Sequence, residues 1–264
     1  MLTKRPRRIR AAWEAGTVAY GVAVQLPSPD LVEIAGQAGL DYAWIDAEHG
    51  SLSLAEIREL IRGADAVGID AIVRIADHDT SFIQRVLDLG AAGIMAAHVC
   101  TPEQAAALVA AARYAPAGLR GACPAVRSVG HVTTDWAGDR RRADEDVVVF
   151  GLIEDLEGVE NVEAIASRSG LDGLVFGPFD LSMAHGLDGD VAHDEIQKLH
   201  DRVVRACREA GIEYVVANAA WEFGGVAVTG SRTVTLAGDR GVLFDGLHRL
   251  LDSARSAGAA GSQP

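Results

Sequence analysis

The sequence predicts one α/β domain of the (β/α)8 TIM-barrel class. Three observations carry the prediction. Apolar runs alternate with helical periodicity along nearly the whole chain. The alternation repeats eight times, which favours a closed barrel over an open sheet. The 264 residues also match the roughly 250 of one such barrel. No linker or change of composition divides the chain, so residues 1–264 read as a single domain, with 1–12 and 257–264 as flexible tails.

The elements follow in order. The first strand spans 17–25, and Pro29 opens a helix over 30–38 that stops at Gly39. The second strand, 42–46, runs into Ala47-Glu48-His49-Gly50. Ser53 and Glu56 form a capping box for a helix over 54–67. A strand at 71–75 leads to a helix over 81–89, capped by Asp79 and ended by Gly90. The fourth strand, 93–99, precedes a helix over 102–114 with Thr101 at its cap, Pro102 at its first position and Gln104 at N3. From 115 to 145 no period persists. A continuous apolar run at 147–153 reads as a strand buried on both faces. A helix over 159–167 and a strand over 173–176 follow, the strand ending in Gly177-Pro178-Phe179-Asp180. Residues 194–210 form an amphipathic helix with Ile196, Leu199, Val203, Val204 and Cys207 on one face. A strand at 214–217, a short segment at 220–229 and a strand at 233–236 lead to a last helix over 242–256, which carries Leu243, Leu247, Leu250 and Leu251.

Composition narrows the function. A net charge of −13 argues against a nucleic-acid partner. The basic run containing Lys4, Arg5, Arg7, Arg8 and Arg10 reads as a solvated tail, without the apolar core of a signal peptide. No apolar stretch is long enough to cross a membrane. Cys100, Cys123 and Cys207 form no CxxC pair, as expected in a reducing cytoplasm.

In a barrel of this class, polar groups at the C-terminal ends of strands face the active site. Four strand ends here carry charge: Asp46, Glu48 and His49; Arg74; Glu154 and Asp155; and Asp180. Unpaired charge is expensive in such places, so these groups should meet one another or a ligand. Glu154 and Asp180 lie on consecutive strands and form a hard-oxygen environment suited to Mg²⁺ or Mn²⁺. Histidine is the side chain whose ordinary range suits a general base near neutral pH, and His49 stands among these groups. An arginine suits a carboxylate or oxyanion of a small substrate.

These residues resemble a known family. The runs Asp46-Ala47-Glu48-His49, Val73-Arg74, Arg113-Tyr114-Ala115-Pro116 with Arg120-Gly121, Ile153-Glu154 and Gly177-Pro178-Phe179-Asp180-Leu181-Ser182 occur in the order and spacing of the HpcH/HpaI aldolases, the metal-dependent class II pyruvate aldolases. The resemblance extends over roughly 17–251. It implies that Glu154 and Asp180 bind a divalent metal ion (Mg²⁺, Mn²⁺ or Co²⁺), chelated by the 2-oxo acid end of the substrate. It implies that Arg74 stabilises the enolate oxygen. His49 would move the 4-hydroxyl proton, oriented by Asp46 and by Asp88. Gly177, Pro178 and Phe179 would border the substrate, with backbone N–H groups around Phe179 and Asp180 holding the pyruvate carboxylate. The activity implied is cleavage or formation of a 4-hydroxy-2-oxo acid from pyruvate and an aldehyde. A homo-oligomer, a hexamer built from dimers that exchange the last helix, is also implied, as is a covering role for 117–146, which contains Arg127, His131 and Trp136.

Three positions depart from the family pattern. Leu152 stands where several members carry Gln, and His98 interrupts a usual Pro-Met-Val run. Cys123-Pro124 replaces small residues. His98 is expected to be a hydrogen-bonded packing residue, and Cys123 a bystander. The competing functions are an enolate-forming synthase or decarboxylase on the same site, a CoA-thioester lyase, a non-catalytic scaffold and a phosphate-binding barrel. The chain is short for a CoA lyase and has no evident basic patch for CoA phosphates. A scaffold would be expected to lack some of His49, Arg74, Glu154 and Asp180. The phosphate reading rests on Gly224-Gly225 and Gly238-Asp239-Arg240-Gly241, where Asp239 is unfavourable beside a phosphate.

Overall fold

A computed structural model describes residues 7–219 and 229–260, with side chains to 257. The segment expected at 220–229 and Gly224-Gly225 therefore lie almost wholly outside the described residues. Eight parallel strands close into a barrel in sequence order, from β1 to β8 and back to β1. They are β1 (Ala19–Val24), β2 (Tyr42–Asp46), β3 (Asp70–Ile75), β4 (Gly93–Ala96), β5 (Val148–Ile153), β6 (Gly173–Phe176), β7 (Glu213–Val216) and β8 (Thr233–Gly238). The helices are α1 (Arg8–Ala15), α2 (Pro29–Gln37), α3 (Leu54–Val67), α4 (Thr80–Asp88), α5 (Pro102–Ala112), α6 (Trp136–Asp146), α7 (Leu156–Glu160), α8 (Val162–Arg168), α9 (Pro178–Ala184), α10 (Asp194–Ala210) and α11 (Asp239–Ala260).

The local chemistry expected at the helix starts is present. Ser53 and Glu56 close a reciprocal capping box on α3, Thr101 and Gln104 do the same on α5, and Asp79 accepts from the N–H groups of Ser81 and Phe82. Two apolar layers result. Ile57, Leu60, Ile83, Leu108, Ile165 and Val203 pack between strands and helices, whereas Trp44, Ile72, Met95, Phe150, Leu152 and Val175 fill the barrel interior. Gly21 is required there, because a Cβ at that position would lie 2.4 Å from the Tyr42 ring.

Several expectations are revised. Residues 8–12, read as part of a flexible tail, belong to α1, which lies across the N-terminal mouth of the barrel. Ile9 is buried, its N–H donates to Asp70, Arg10 reaches Asp172 at 2.6 Å, and Trp13 packs edge-on to Phe150. The run is basic because acidic groups wait for it at the strand starts. The aperiodic stretch after α5 contains α6, whose charged face left no apolar period to detect. This stretch joins the end of a helix to the start of a strand, so in this topology it lies at the N-terminal rim. Arg127 anchors it there, bonding the Leu89 carbonyl and Asp65 at the ends of α4 and α3. Within one chain it therefore does not cover the C-terminal rim. The last helix starts earlier and ends later than expected. From Arg240 to Ala257 it is exposed except at Gly246, which is half-buried, and its apolar face, including Leu247 and Leu250, lies open. No helix among the described residues is long and apolar enough to cross a membrane.

Candidate active site

The ends of β2 to β6 bring the site together. The β2–β3 register sets Asp46 beside Arg74. The Arg74 guanidinium grips Asp46 with two bonds, Nε to Oδ1 at 2.8 Å and Nη2 to Oδ2 at 2.6 Å. Its third nitrogen, Nη1, lies 3.1 Å from Glu48 Oε2, and the group rests over the Trp44 ring. Gln25, at the end of β1, donates to Asp46 Oδ2 at 2.7 Å. Although burial opposes it, the hydrogen bonds and charge of Arg74, with Gln25, hold the Asp46 carboxyl below the usual carboxylate range. Asp46 is thus committed to fixing Arg74. It also accepts the backbone N–H groups of Glu48 and His49, which shapes the turn after β2. It contacts His49 through the backbone, not through the ring.

The His49 ring is largely exposed, with Nε2 3.9 Å from Glu48 Oε2. Asp88 is not brought to it. α4 runs back along β3, so its final residue lies at the opposite rim, where Asp88 accepts from Arg120 at 2.8 Å. An Asp88–His49 pair therefore cannot form within one chain.

Glu154 lies just beyond β5 and is 3% exposed. Burial pushes its carboxyl up to about 7, and the charges of Glu48 and Asp180 add to this against the His98 N–H. Among the described residues, no lysine or arginine pairs with it. Gly177 permits the close approach of β6, since a Cβ there would sit 2.5 Å from Glu154 Cβ. Asp180, in the first turn of α9, is exposed. Pro178 opens that helix and is buried, whereas Phe179 is half-exposed.

His98 is not the packing residue that its position suggested. It follows β4 in a left-handed conformation with φ 55°, and its ring is half-exposed. Its N–H donates to Glu154 Oε1 at 2.9 Å, Nδ1 lies 2.9 Å from Asp155 Oδ2, and Nε2 lies 3.5 Å from Glu48 Oε1. Although burial pulls the imidazole down, the Asp155 bond and the charges of Glu154, Asp155 and Glu48 hold it above the ordinary histidine range.

Among the described residues, Glu48, His98 and Glu154 form a possible metal-binding group, with ligand atoms all within 4.8 Å of one another. Asp180, expected to be a ligand, is not part of that converging set. The donors fit a divalent cation. A buried carboxylate that no lysine or arginine neutralises is costly. In addition, Glu48 Oε2 is buried without a hydrogen bond. In the sequence, Glu48 is only one of several charges at a strand end. What the sequence held was its place in Asp46-Ala47-Glu48-His49, but nothing there showed which of these side chains turns inward.

A parallel eight-stranded barrel with convergent carboxylates, an imidazole and a fixed arginine at its C-terminal rim is the architecture of an enzyme with a site for a small anionic substrate. The comparisons agree. A profile of the HpcH/HpaI aldolase/citrate lyase family matches residues 20–245. A 4-hydroxy-2-oxovalerate aldolase of Novosphingobium aromaticivorans is 39% identical over 211 residues, 77% of this chain and 78% of the relative. A hydroxypyruvate/pyruvate aldolase of Pseudomonas aeruginosa is 32% identical, over 77% of this chain and 76% of the relative. The crystal structure of macrophomate synthase superposes with a TM-score of 0.86 at 28% identity, covering 100% of this chain and 94% of that one. The chain belongs to the HpcH/HpaI aldolase/citrate lyase family. It is a carbon–carbon lyase.

Proposed function

We propose that the protein is a divalent-metal-dependent aldolase that interconverts a 4-hydroxy-2-oxo acid with pyruvate and an aldehyde. The observation that carries this reading is the combination of a buried Glu154 that no lysine or arginine among the described residues neutralises with an arginine whose orientation is locked by Asp46. Glu154 holds the cation (Mg²⁺, Mn²⁺ or Co²⁺), with Asp180 as the further carboxylate that the family pattern supplies. The chemistry such an ion contributes is Lewis-acid polarisation of the substrate ketone. Arg74, pinned through Nε and Nη2, directs Nη1, which also lies 3.1 Å from Glu48 Oε2, toward negative charge developing on the keto oxygen. His49 takes the proton of the 4-hydroxyl; the C3–C4 bond then breaks, its electron pair passes into the enolate of pyruvate, and the aldehyde departs. A proton returned to C3 completes pyruvate. Backbone N–H groups of the first turn of α9, at Phe179 and Asp180, lack carbonyl partners within the helix and suit the substrate carboxylate.

Pyruvate α-proton exchange in deuterated water tests this without knowledge of the aldehyde. The wild type exchanges, thorough chelation stops exchange, and Arg74→Lys slows it by about 10²-fold or more. Exchange that survives chelation overturns the metal role, and an Arg74→Lys variant as fast as wild type overturns the arginine's. The likeness to macrophomate synthase favours a second reading, a synthase that uses the same enolate. Release of CO₂ from a 2-oxo diacid, with no cleavage of 4-hydroxy-2-oxo acids, would select it.

The protein acts as a homo-oligomer in which α11 is exchanged between subunits, in a hexamer built from dimers. The support is the open apolar face of α11, with Leu247 66% and Leu250 69% exposed, which one barrel leaves uncovered. Asp88 can meet His49 only across such an interface. Three free cysteines suit the cytoplasm. Light scattering distinguishes the cases. Leu247→Glu with Leu250→Glu lowers the assembly mass, and an unchanged mass sinks the exchange.

A further inference from the structure

We infer that His98 is a nitrogen ligand of the cation, held in the required tautomer by Asp155, and that this centre accordingly prefers a borderline transition metal such as Co²⁺ over Mg²⁺. The inference rests on the metal-dependent reading above and names the donor that sets the metal's identity.

Four observations converge. The first is backbone conformation. A non-glycine residue with positive φ is uncommon, and holding one costs on the order of 1–3 kcal/mol. Here φ is 55°, and in this conformation the His98 N–H bonds Glu154 while its ring lies among Glu48, Glu154 and Asp155. The second is spacing. Two ligands bound at about 2.0–2.2 Å in a tetrahedral arrangement stand about 3.4 Å apart. His98 Nε2 and Glu48 Oε1 are 3.5 Å apart. The third is the tautomer. A metal-bound imidazole characteristically gives its other N–H to a carboxylate, which fixes the ring and makes the free nitrogen more basic. Asp155 Oδ2 lies 2.9 Å from Nδ1, so Nδ1–H donates there, and in the neutral ring the lone pair is on Nε2. The fourth is Glu48. Its side chain is 10% exposed, and its Oε2 is buried without a hydrogen bond, beside Arg74 Nη1. Arg74 thus holds the Oε2 side of this carboxylate, and its Oε1 faces His98 Nε2.

Imidazole alters selectivity. An all-oxygen set suits Mg²⁺ or Mn²⁺, whereas an added nitrogen draws Co²⁺, Ni²⁺ and Zn²⁺. The rival account is an imidazolium that merely pairs with the surrounding carboxylates, with both of its nitrogens protonated.

The test is metal binding by the full-length, chelator-stripped protein, followed by calorimetry with Co²⁺ and with Mg²⁺ and by pulsed EPR of bound Mn²⁺. His98→Asn and His98→Gly both tolerate positive φ, so the backbone turn survives. The wild type should show ¹⁴N modulation on Mn²⁺ and prefer Co²⁺. Both variants should lose the modulation and at least tenfold in the Co²⁺/Mg²⁺ affinity ratio, with unchanged circular dichroism. Asp155→Asn should weaken Co²⁺ binding by about 10–100-fold. Wild-type Mn²⁺ without nitrogen coupling, or a variant ratio equal to wild type, overturns the ligand role of His98 and leaves the aldolase reading standing. Failure of the wild type to bind any divalent ion overturns both.

Discussion

The two ends of the barrel treat charge in opposite ways. At the N-terminal end, acids at strand starts have cationic or backbone partners. Asp172 accepts from Arg10, Arg113 and the Val149 N–H. Glu213 pairs with Arg232 at 3.0 Å, and Asp70 caps Ile9 at the start of α1. At the C-terminal end, one arginine is fixed by Asp46, and the carboxylates of Glu48 and Glu154 converge on an imidazole. One end closes its electrostatics with its own side chains. The other leaves them to be completed by a ligand, as expected where a barrel separates stability from catalysis.

The closed end should break hardest. Asp172 is nearly buried between two arginines, and removing it strands both. Asp172→Ala should cost about 3–5 kcal/mol in urea denaturation, because uncompensated buried charge is what remains. Rate per folded molecule should stay near wild type. A variant of normal stability would show that the arginines hydrate freely and that the N-terminal end is not sealed as described.

Glu154→Gln inverts that result. Turnover should fall by about 10²- to 10³-fold, the several kcal/mol a cation supplies to charge developing in the reaction. Stability of the metal-free protein should hold or rise, since a neutral amide replaces a carboxyl that burial already disfavours. Turnover assays and thermal melts in chelator check both halves. A large loss of stability would place Glu154 among structural residues and erase the contrast between the two ends.

The sequence showed the frame more readily than the site, and the difference is physical. β2, α3, β6 and α10 fall where hydrophobic period and capping residues put them, because both signals are local. α6 was invisible because its Asp-Arg-Arg-Arg-Ala-Asp-Glu-Asp stretch has no apolar face to repeat. α1 looked like a tail because its partners, Asp70 and Asp172, lie far along the chain. At the site, Arg74 and Glu154 were readable as charges at strand ends. The family resemblance implies Asp46 beside His49, whereas cross-strand register gives its carboxylate to Arg74. Only the family resemblance points to Asp88, and a resemblance in sequence does not say which rim a helix ends on. His98 depended on a backbone angle that no composition encodes.

The smallest effect sharpens the comparison from inside the closed end. Burial raises the Asp70 carboxyl to about 6, with the Arg7 charge and the Ile9 N–H pulling the other way. The folded protein thus holds this proton more tightly than the unfolded chain. Below about pH 4 both states carry it, and the site adds no penalty. As pH rises from about 4 to 6 the unfolded chain ionises first, so stability falls by up to about 3 kcal/mol and then levels off. Asp70→Asn removes that titration while the amide oxygen can still accept from Ile9. Relative to wild type, the variant should gain stability between pH 4 and pH 7, as read by urea midpoints at each pH. Parallel pH profiles would mean that Arg7, 3.9 Å away, stabilises the carboxylate enough to cancel its burial. The closed end would then match every acid without residue, and the contrast with Glu154 would be stronger still.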